Sequence, residues 1–167
     1  SMLGISLLRE IVSKEYITHT GVILRKLRKE VIRTLKQDEY SQSKDGMDIS
    51  VCSIDLNTKE MQYSGANNPL YLVREKSKKQ IKENEDLSIA AENDKFILYE
   101  VKPDKMPIAI YEKMDKFRTI NIDILEGDQI YLFSDGFADQ FGGLNKDVRK
   151  KGGKKYKYKS FKNLIVK

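Results

Sequence analysis

Two stretches near the start of the chain carry apolar residues three and four apart, and from Met47 onward apolar and polar residues alternate. In "LGISLLREIVSKE" the residues Leu3, Ile5, Leu7, Leu8, Ile11 and Val12 form a broad apolar stripe. In "TGVILRKLRKEVIRTLKQ" a second stripe runs through Ile23, Leu24, Leu27, Val31, Ile32 and Leu35, with Lys and Arg on the outer face. Both spacings predict helices. Thr20, or Thr18 just before it, is the expected N-cap of the second, because a hydroxyl there can accept a first-turn N–H. The polar "DEYSQSKDG" ends the helical pattern.

The period of two that follows predicts strands. "MDISVCSIDL" and "MQYSGA" read as an antiparallel pair joined by "NTKE", and "PLYLVRE" as a third strand. Asn67, Asn68 and Pro69 make the turn between the last two, where a proline amide is not missed. "KFILYEV", "FRTINIDI" and "QIYLFSDG" read as further strands, the last entered through an "EGD" turn. "ENEDLSIAAEND" has the weakest pattern and reads as an insertion or an exposed connection. Helices come first and strands after, without an internal repeat. This order predicts an α+β fold with an antiparallel sheet, in one domain over the 167 residues.

Composition adds limits. A hydrophobic fraction of 40% against 34% charged residues suits one modest core under a heavily charged exterior. No apolar run approaches the roughly 18 residues that span a bilayer, and no signal peptide is visible. The expectation is a soluble, cytoplasmic domain without membrane contact of its own, from a parent that can still be membrane-anchored. The lone Cys52 rules out an internal disulfide. It alternates into a strand, so a packed thiol is expected rather than a nucleophile. His19, the one histidine, lies in a polar connection with no Cys or second His to share a metal, so a surface or capping role is expected.

The net charge of +6 comes largely from "REKSKK" and from the tail "KDVRKKGGKKYKYKSFKNLIVK". Lysines interleaved with Tyr156, Tyr158 and Phe161 are one way to hold phosphates and stack on bases. The alternative is a solvated loop running into a short amphipathic helix. That alternative is preferred, and no nucleic-acid partner is expected.

Candidate chemistry lies in "GDQIYLFSDGFADQFGG". A strand drives into Ser134-Asp135-Gly136, so the Asp135 carboxylate is held at a strand end. Gly136 allows a sharp turn and close approach of a ligand or ion. Hard cations such as Mg²⁺ and Mn²⁺ take carboxylate oxygens, but one carboxylate does not make a site. An Asp-Gly pair also ends many strands simply because it turns well.

Wider wording sharpens the reading. "YLFSDGFADQFGG", "GANNPLYLVRE", "DKMPIAIYE" and "KDGMDISVCSIDLNTKEMQYSGA" together resemble the motifs of the metal-dependent PPM-type protein serine/threonine phosphatases, in their bacterial SpoIIE-like branch. The likeness runs from about Leu3 to Phe161, with Ala109 where glycine is usual. It implies a partial α/β/β/α sandwich of antiparallel sheets flanked by helices. It also implies two Mn²⁺ or Mg²⁺ ions that activate a water against phosphoserine or phosphothreonine, without a phosphoenzyme. On that reading Asp135 matches a metal aspartate and Gly136 supports its turn. Asp139 either orients a metal-bound water or serves as a helix N-cap, with the structural role favoured. Asp48 is expected near the cleft, and Asp45 in a turn or cap. Asn67 and Asn68 are expected to shape their turn through side-chain to backbone hydrogen bonds, with cleft contact as the minority view. Met106, Pro107 and Ile108 are expected to pack.

The resemblance lacks two ligand-bearing pieces, an acidic turn before the first helix and a late Asp-Asp motif. The expectation is therefore a domain truncated at both ends, whose parent dephosphorylates a regulatory protein in bacterial signal transduction while these residues alone are inactive. Unpaired sheet edges would favour a homodimer. The alternative is a non-catalytic interaction module with the phosphatase fold.

Overall fold

The two apolar stripes fold as helices α1 (Met2–Lys14) and α2 (Thr20–Thr34). In the computed structural model, residues 2–37, 46–112, 114–142 and 153–167 are described. After the helices come strands β1 (Ile49–Asp55), β2 (Glu60–Ala66), β3 (Leu70–Glu75), β4 (Leu87–Glu92), β5 (Phe96–Val101), β6 (Ile120–Asp123) and β7 (Gln129–Leu132). The short helix α3 (Gly136–Asp139), strands β8 (Phe141–Gly142) and β9 (Lys154–Lys155), and helix α4 (Lys157–Ile165) complete the order. The fold is α+β with antiparallel sheets, as the order of patterns predicts. The chain divides into two compact units. One comprises residues 1–70 and 102–126, the other residues 71–101 and 127–167.

The first unit holds α1, α2 and a sheet ordered β1-β2-β6. β1 and β2 pair antiparallel from Ile49↔Ala66 to Asp55↔Glu60, across the predicted turn. β6 pairs with β2 on its other side, from Glu60↔Asp123 to Tyr63↔Ile120. The inner faces of the helices supply Ile11, Ile23, Leu24, Leu27 and Val31 to a core completed by Ala66, Met106, Ile108 and Phe117. Removing a large aliphatic side chain of this kind from water stabilises the fold by about 1.5–3 kcal/mol. Met106 and Ile108 pack as expected, and Ile108 also bridges to Met47 through hydrogen bonds in both directions.

The start of α2 departs from the expected threonine cap. His19 is the N-cap, in extended conformation, and makes no side-chain capping bond. Its carbonyl accepts the Val22 and Ile23 amides, each at 3.0 Å, so its role is capping through the backbone. Thr20 is already helical and buried, and its hydroxyl accepts a bond from Ser64 at 2.8 Å. The orphan first-turn donor of Gly21 is met from outside the helix, by Thr119 Oγ1 at 3.1 Å. A Cβ at Gly21 would lie 2.7 Å from both Thr119 Oγ1 and the Phe117 carbonyl oxygen, so that contact needs a glycine.

The second unit is built on a sheet ordered β4-β5-β3-β7. β4 corrects the expectation of an insertion or connection over "ENEDLSIAAEND". It pairs antiparallel with β5 from Leu87↔Val101 to Glu92↔Ile97, with a bulge between Ile89 and Ala91. The bulge breaks the period of two and Ile89 is exposed, so the apolar alternation that marks the other strands is diluted here. The core gathers Tyr71, Val73, Leu98, Phe161 and Val166. Beside it Arg74 and Asp128 form a buried ion pair, Nη2 to Oδ2 at 2.6 Å, with side chains 3% and 2% exposed. Gly127, at φ 86°, makes the predicted turn just before Asp128. The tail helix α4 is amphipathic, as the preferred alternative expects, and buries Phe161. The loop expected before it falls largely outside the described residues.

Candidate functional site

Asp135 stands where the sequence places it, three residues beyond the end of β7 and at the N-cap of α3. Its backbone is helical and its side chain makes no capping hydrogen bond. Its carbonyl accepts the Asp139 amide at 2.9 Å, which closes the turn of α3. The residue is exposed. Gly136 does not have a positive φ, so the turn itself does not require glycine, contrary to expectation. A Cβ there would meet only Ser134 Oγ at 3.6 Å, an ordinary contact, so an alanine would fit.

Asp139 ends α3 and does not cap it. Its carboxylate pairs with Lys155 Nζ of β9 at 2.8 Å, with both side chains more than two-fifths exposed. β9 is brought there by its pairing with β8, Phe141↔Lys155. Tyr158, at the start of α4, completes the surroundings. Burial pushes its phenol above the ordinary tyrosine range, and the charges of Asp135 and Asp139 push it further, against an opposing effect of Lys155. Lys155 and Tyr158 are the residues that sequence reasoning missed here. Their only signal was the alternation of Lys and Tyr in the tail, which carries no information about the carboxylates they approach.

The remaining candidates lie in the first unit. Asn67 adopts the left-handed conformation at φ 58°, which asparagine tolerates better than most residues. Its side chain donates to Asp48 Oδ1 at 2.8 Å, and not to the backbone as expected. Its amide donates to the Asp104 carbonyl at 2.9 Å. The turn is held chiefly by groups that converge on the Asn68 carbonyl. Tyr63 Oη donates to it at 2.6 Å and Ser50 Oγ at 2.9 Å. Gly65 makes this possible, since a Cβ there would sit 2.0 Å from Tyr63 Oη and 2.5 Å from the Asn68 oxygen. Gly46 likewise leaves the room that Ala109 fills, since a Cβ at Gly46 would lie 2.8 Å from that of Ala109. Asp45 lies outside the described residues. Cys52 is a half-buried free thiol, and burial raises its pKa, which favours the protonated form.

The structure thus joins Asp48 to Asn67 in one unit, and Asp139 to Lys155 beside Asp135 in the other. Among the described residues there is no group of three or more His, Cys, Asp or Glu side chains that could hold a metal ion. The donor set gives the same answer. Asp135 offers one carboxylate, while Asp139 is already neutralised by an ammonium. Mg²⁺ and Mn²⁺ need more oxygen ligands than this, so the described residues do not by themselves fit a two-ion centre.

No family model and no curated protein matches the chain. Among solved structures, the SiaA-PP2C domain of Pseudomonas aeruginosa is similar over 99% of this chain, with a TM-score of 0.68 and 18% sequence identity. The chain spans 52% of the length of that neighbour. At this identity the likeness establishes a shared fold: the chain has the fold of a PP2C, or PPM-type, phosphatase domain.

Proposed function

We propose that this chain belongs to a PPM-type protein phosphatase of the SpoIIE-like branch, one that removes phosphate from phosphoserine or phosphothreonine on a regulatory protein in bacterial signal transduction. The observation that carries this reading is the position of Asp135. On a fold similar to the SiaA-PP2C domain along nearly the whole of this chain, the motif aspartate stands exposed at the strand-to-helix turn after β7. In that role Asp135 would offer one carboxylate to Mn²⁺ or Mg²⁺, whose chemistry when bound would be to activate water and neutralise the phosphate, and such an ion would need oxygen ligands beyond those of the described residues. Asp48 and the turn at Asn67 and Asn68 shape the domain and are not assigned contact with substrate.

The test is release of phosphate from a phosphoserine-containing protein by the longest natural form of the protein. Mn²⁺-dependent turnover should fall by more than about 100-fold in Asp135→Asn, the loss expected when a ligand to a catalytic ion goes. Equal turnover in both forms would refute the assignment.

A second reading, a non-catalytic interaction module with the same fold, is favoured by the Asp139–Lys155 pair, in which an ammonium already engages the carboxylate nearest Asp135 in sequence. It predicts that the same protein is inert with any divalent ion and keeps its stability in a chelator.

A further inference from the structure

The backbone of Asp135 is helical and its carbonyl takes the Asp139 amide at 2.9 Å, so the two residues stand one turn apart. Side chains so spaced lie on the same face of a helical turn. A cation beside Asp135 is therefore also close to Asp139. That second carboxylate is taken, because Lys155 Nζ lies 2.8 Å from Asp139 Oδ1. The backbone brings the lysine there. β9 pairs with β8 at Phe141↔Lys155, just beyond Asp139, and the next amide, of Tyr156, donates to the Gln140 carbonyl at 3.0 Å. The start of α4 brings Tyr158 to the same place. Burial comes first in raising its phenol, and the charges of Asp135, Asp139 and Lys155 all act on it, so the three groups share one neighbourhood.

We infer, on the reading that Asp135 meets a divalent cation, that Lys155 is the resident counter-ion of this turn and competes with that cation. Its pairing with Asp139 and the binding of one ion across Asp135 and Asp139 exclude each other. The ammonium engages an oxygen that the ion would need, and its charge repels an ion of charge two. The misfit between this donor set and a metal centre then has a local cause, and a removable one. Both side chains of the pair are more than two-fifths exposed, where an ion pair is weak and yields to a stronger cation. An ion that takes Asp139, with water in its remaining positions, frees Lys155 and loosens the contact of α3 with β9. The pair therefore sets how much divalent cation the turn needs before it is filled.

The test follows Mn²⁺ and Mg²⁺ binding to the full chain by NMR. In Lys155→Met the Mn²⁺ concentration that half-broadens the Asp135 and Gly136 amides should fall about ten-fold, because the competitor and its repulsion are both gone. Lys155→Arg keeps the charge and should bind as wild type does. Asp139→Asn added to Lys155→Met should cancel the gain, which ties it to this carboxylate. In wild type, diamagnetic Mg²⁺ should shift the Lys154 and Lys155 amides together with those of α3. Thermal melts check folding, and if Lys155→Met melts early, Lys155→Gln decides. Unchanged Mn²⁺ affinity in the folded variant, the same gain in Lys155→Arg, a gain that survives Asp139→Asn, or no Mn²⁺ at the turn in any form would each overturn the inference. Turnover in Asp135→Asn judges the phosphatase reading separately, and that reading can fail while the exclusion holds.

Discussion

The two units of the chain solve the same packing problem by different means. The first is closed by shape. Its helices bring aliphatic residues to a sheet, and its tight places are glycines against backbone, Gly65 under the Tyr63 hydroxyl and Gly21 under the Phe117 carbonyl. The second is closed by rings and charge. Tyr71, Phe133, Phe137 and Phe161 interlock, and the Arg74–Asp128 pair is almost fully removed from water. A shape-closed unit tolerates apolar exchange but not added atoms, whereas a charge-closed unit tolerates neither partner's loss. The candidate chemistry at Asp135 lies in the second kind.

The largest effect should come from separating the buried charges. Arg74→Ala leaves Asp128 buried beside a lost cation and should cost about 3–5 kcal/mol in urea denaturation. Replacing both partners together, Arg74→Met with Asp128→Leu, should restore most of that stability; a double variant as weak as the single one would contradict the charge-closed description. Next comes the opposite test in the first unit. Gly65→Ala forces a methyl into the Tyr63 hydroxyl and the Asn68 carbonyl and should cost about 1–3 kcal/mol. Tyr63→Phe in the same chain should recover only part of it, because the backbone oxygen remains.

Much of the secondary structure was legible in the sequence. Helical spacing and strand alternation are direct consequences of one-sided burial, so α1, α2 and the β1–β2 pair stand close to where the pattern puts them. β4 was hidden because its bulge between Ile89 and Ala91 breaks the period of two and Ile89 is exposed. The cap of α2 was hidden because Gly21 is satisfied by Thr119, 98 residues away. The same limit applies to the site. Asp135 could be found from its strand-to-turn wording, but no local pattern announces that Lys155 neutralises Asp139 or that Asn67 turns its side chain to Asp48. Those partners are chosen by the folded chain and leave no periodic trace.

Alkaline pH offers a smaller and more selective probe of the second unit. Burial first, then the charge of Glu100 and the neighbouring Tyr158, raises the Tyr71 phenol well above its ordinary value of 10.0. A group whose folded pKa is raised favours the fold in its protonated form. That contribution is fully present below pH 10.0 and is lost as pH rises toward the folded value. Thermal melts should therefore fall above pH 10.0, and Tyr71→Phe should make that fall shallower than in wild type. The smallest effect is expected at the Asp139–Lys155 pair. Both groups are well exposed, so Lys155→Ala should change stability by less than about 1 kcal/mol in the same denaturation assay. A larger loss would make the pair a structural tie of α3 to β9.

The most direct measurement is a titration of the full chain with Mn²⁺, read as paramagnetic line broadening of backbone amide signals by NMR. Broadening centred on Asp135 and Gly136, and abolished in Asp135→Asn, is the expected result even where binding is weak. Broadening that survives that substitution, or that centres on other carboxylates, would contradict a metal-directed role for the aspartate at the end of β7.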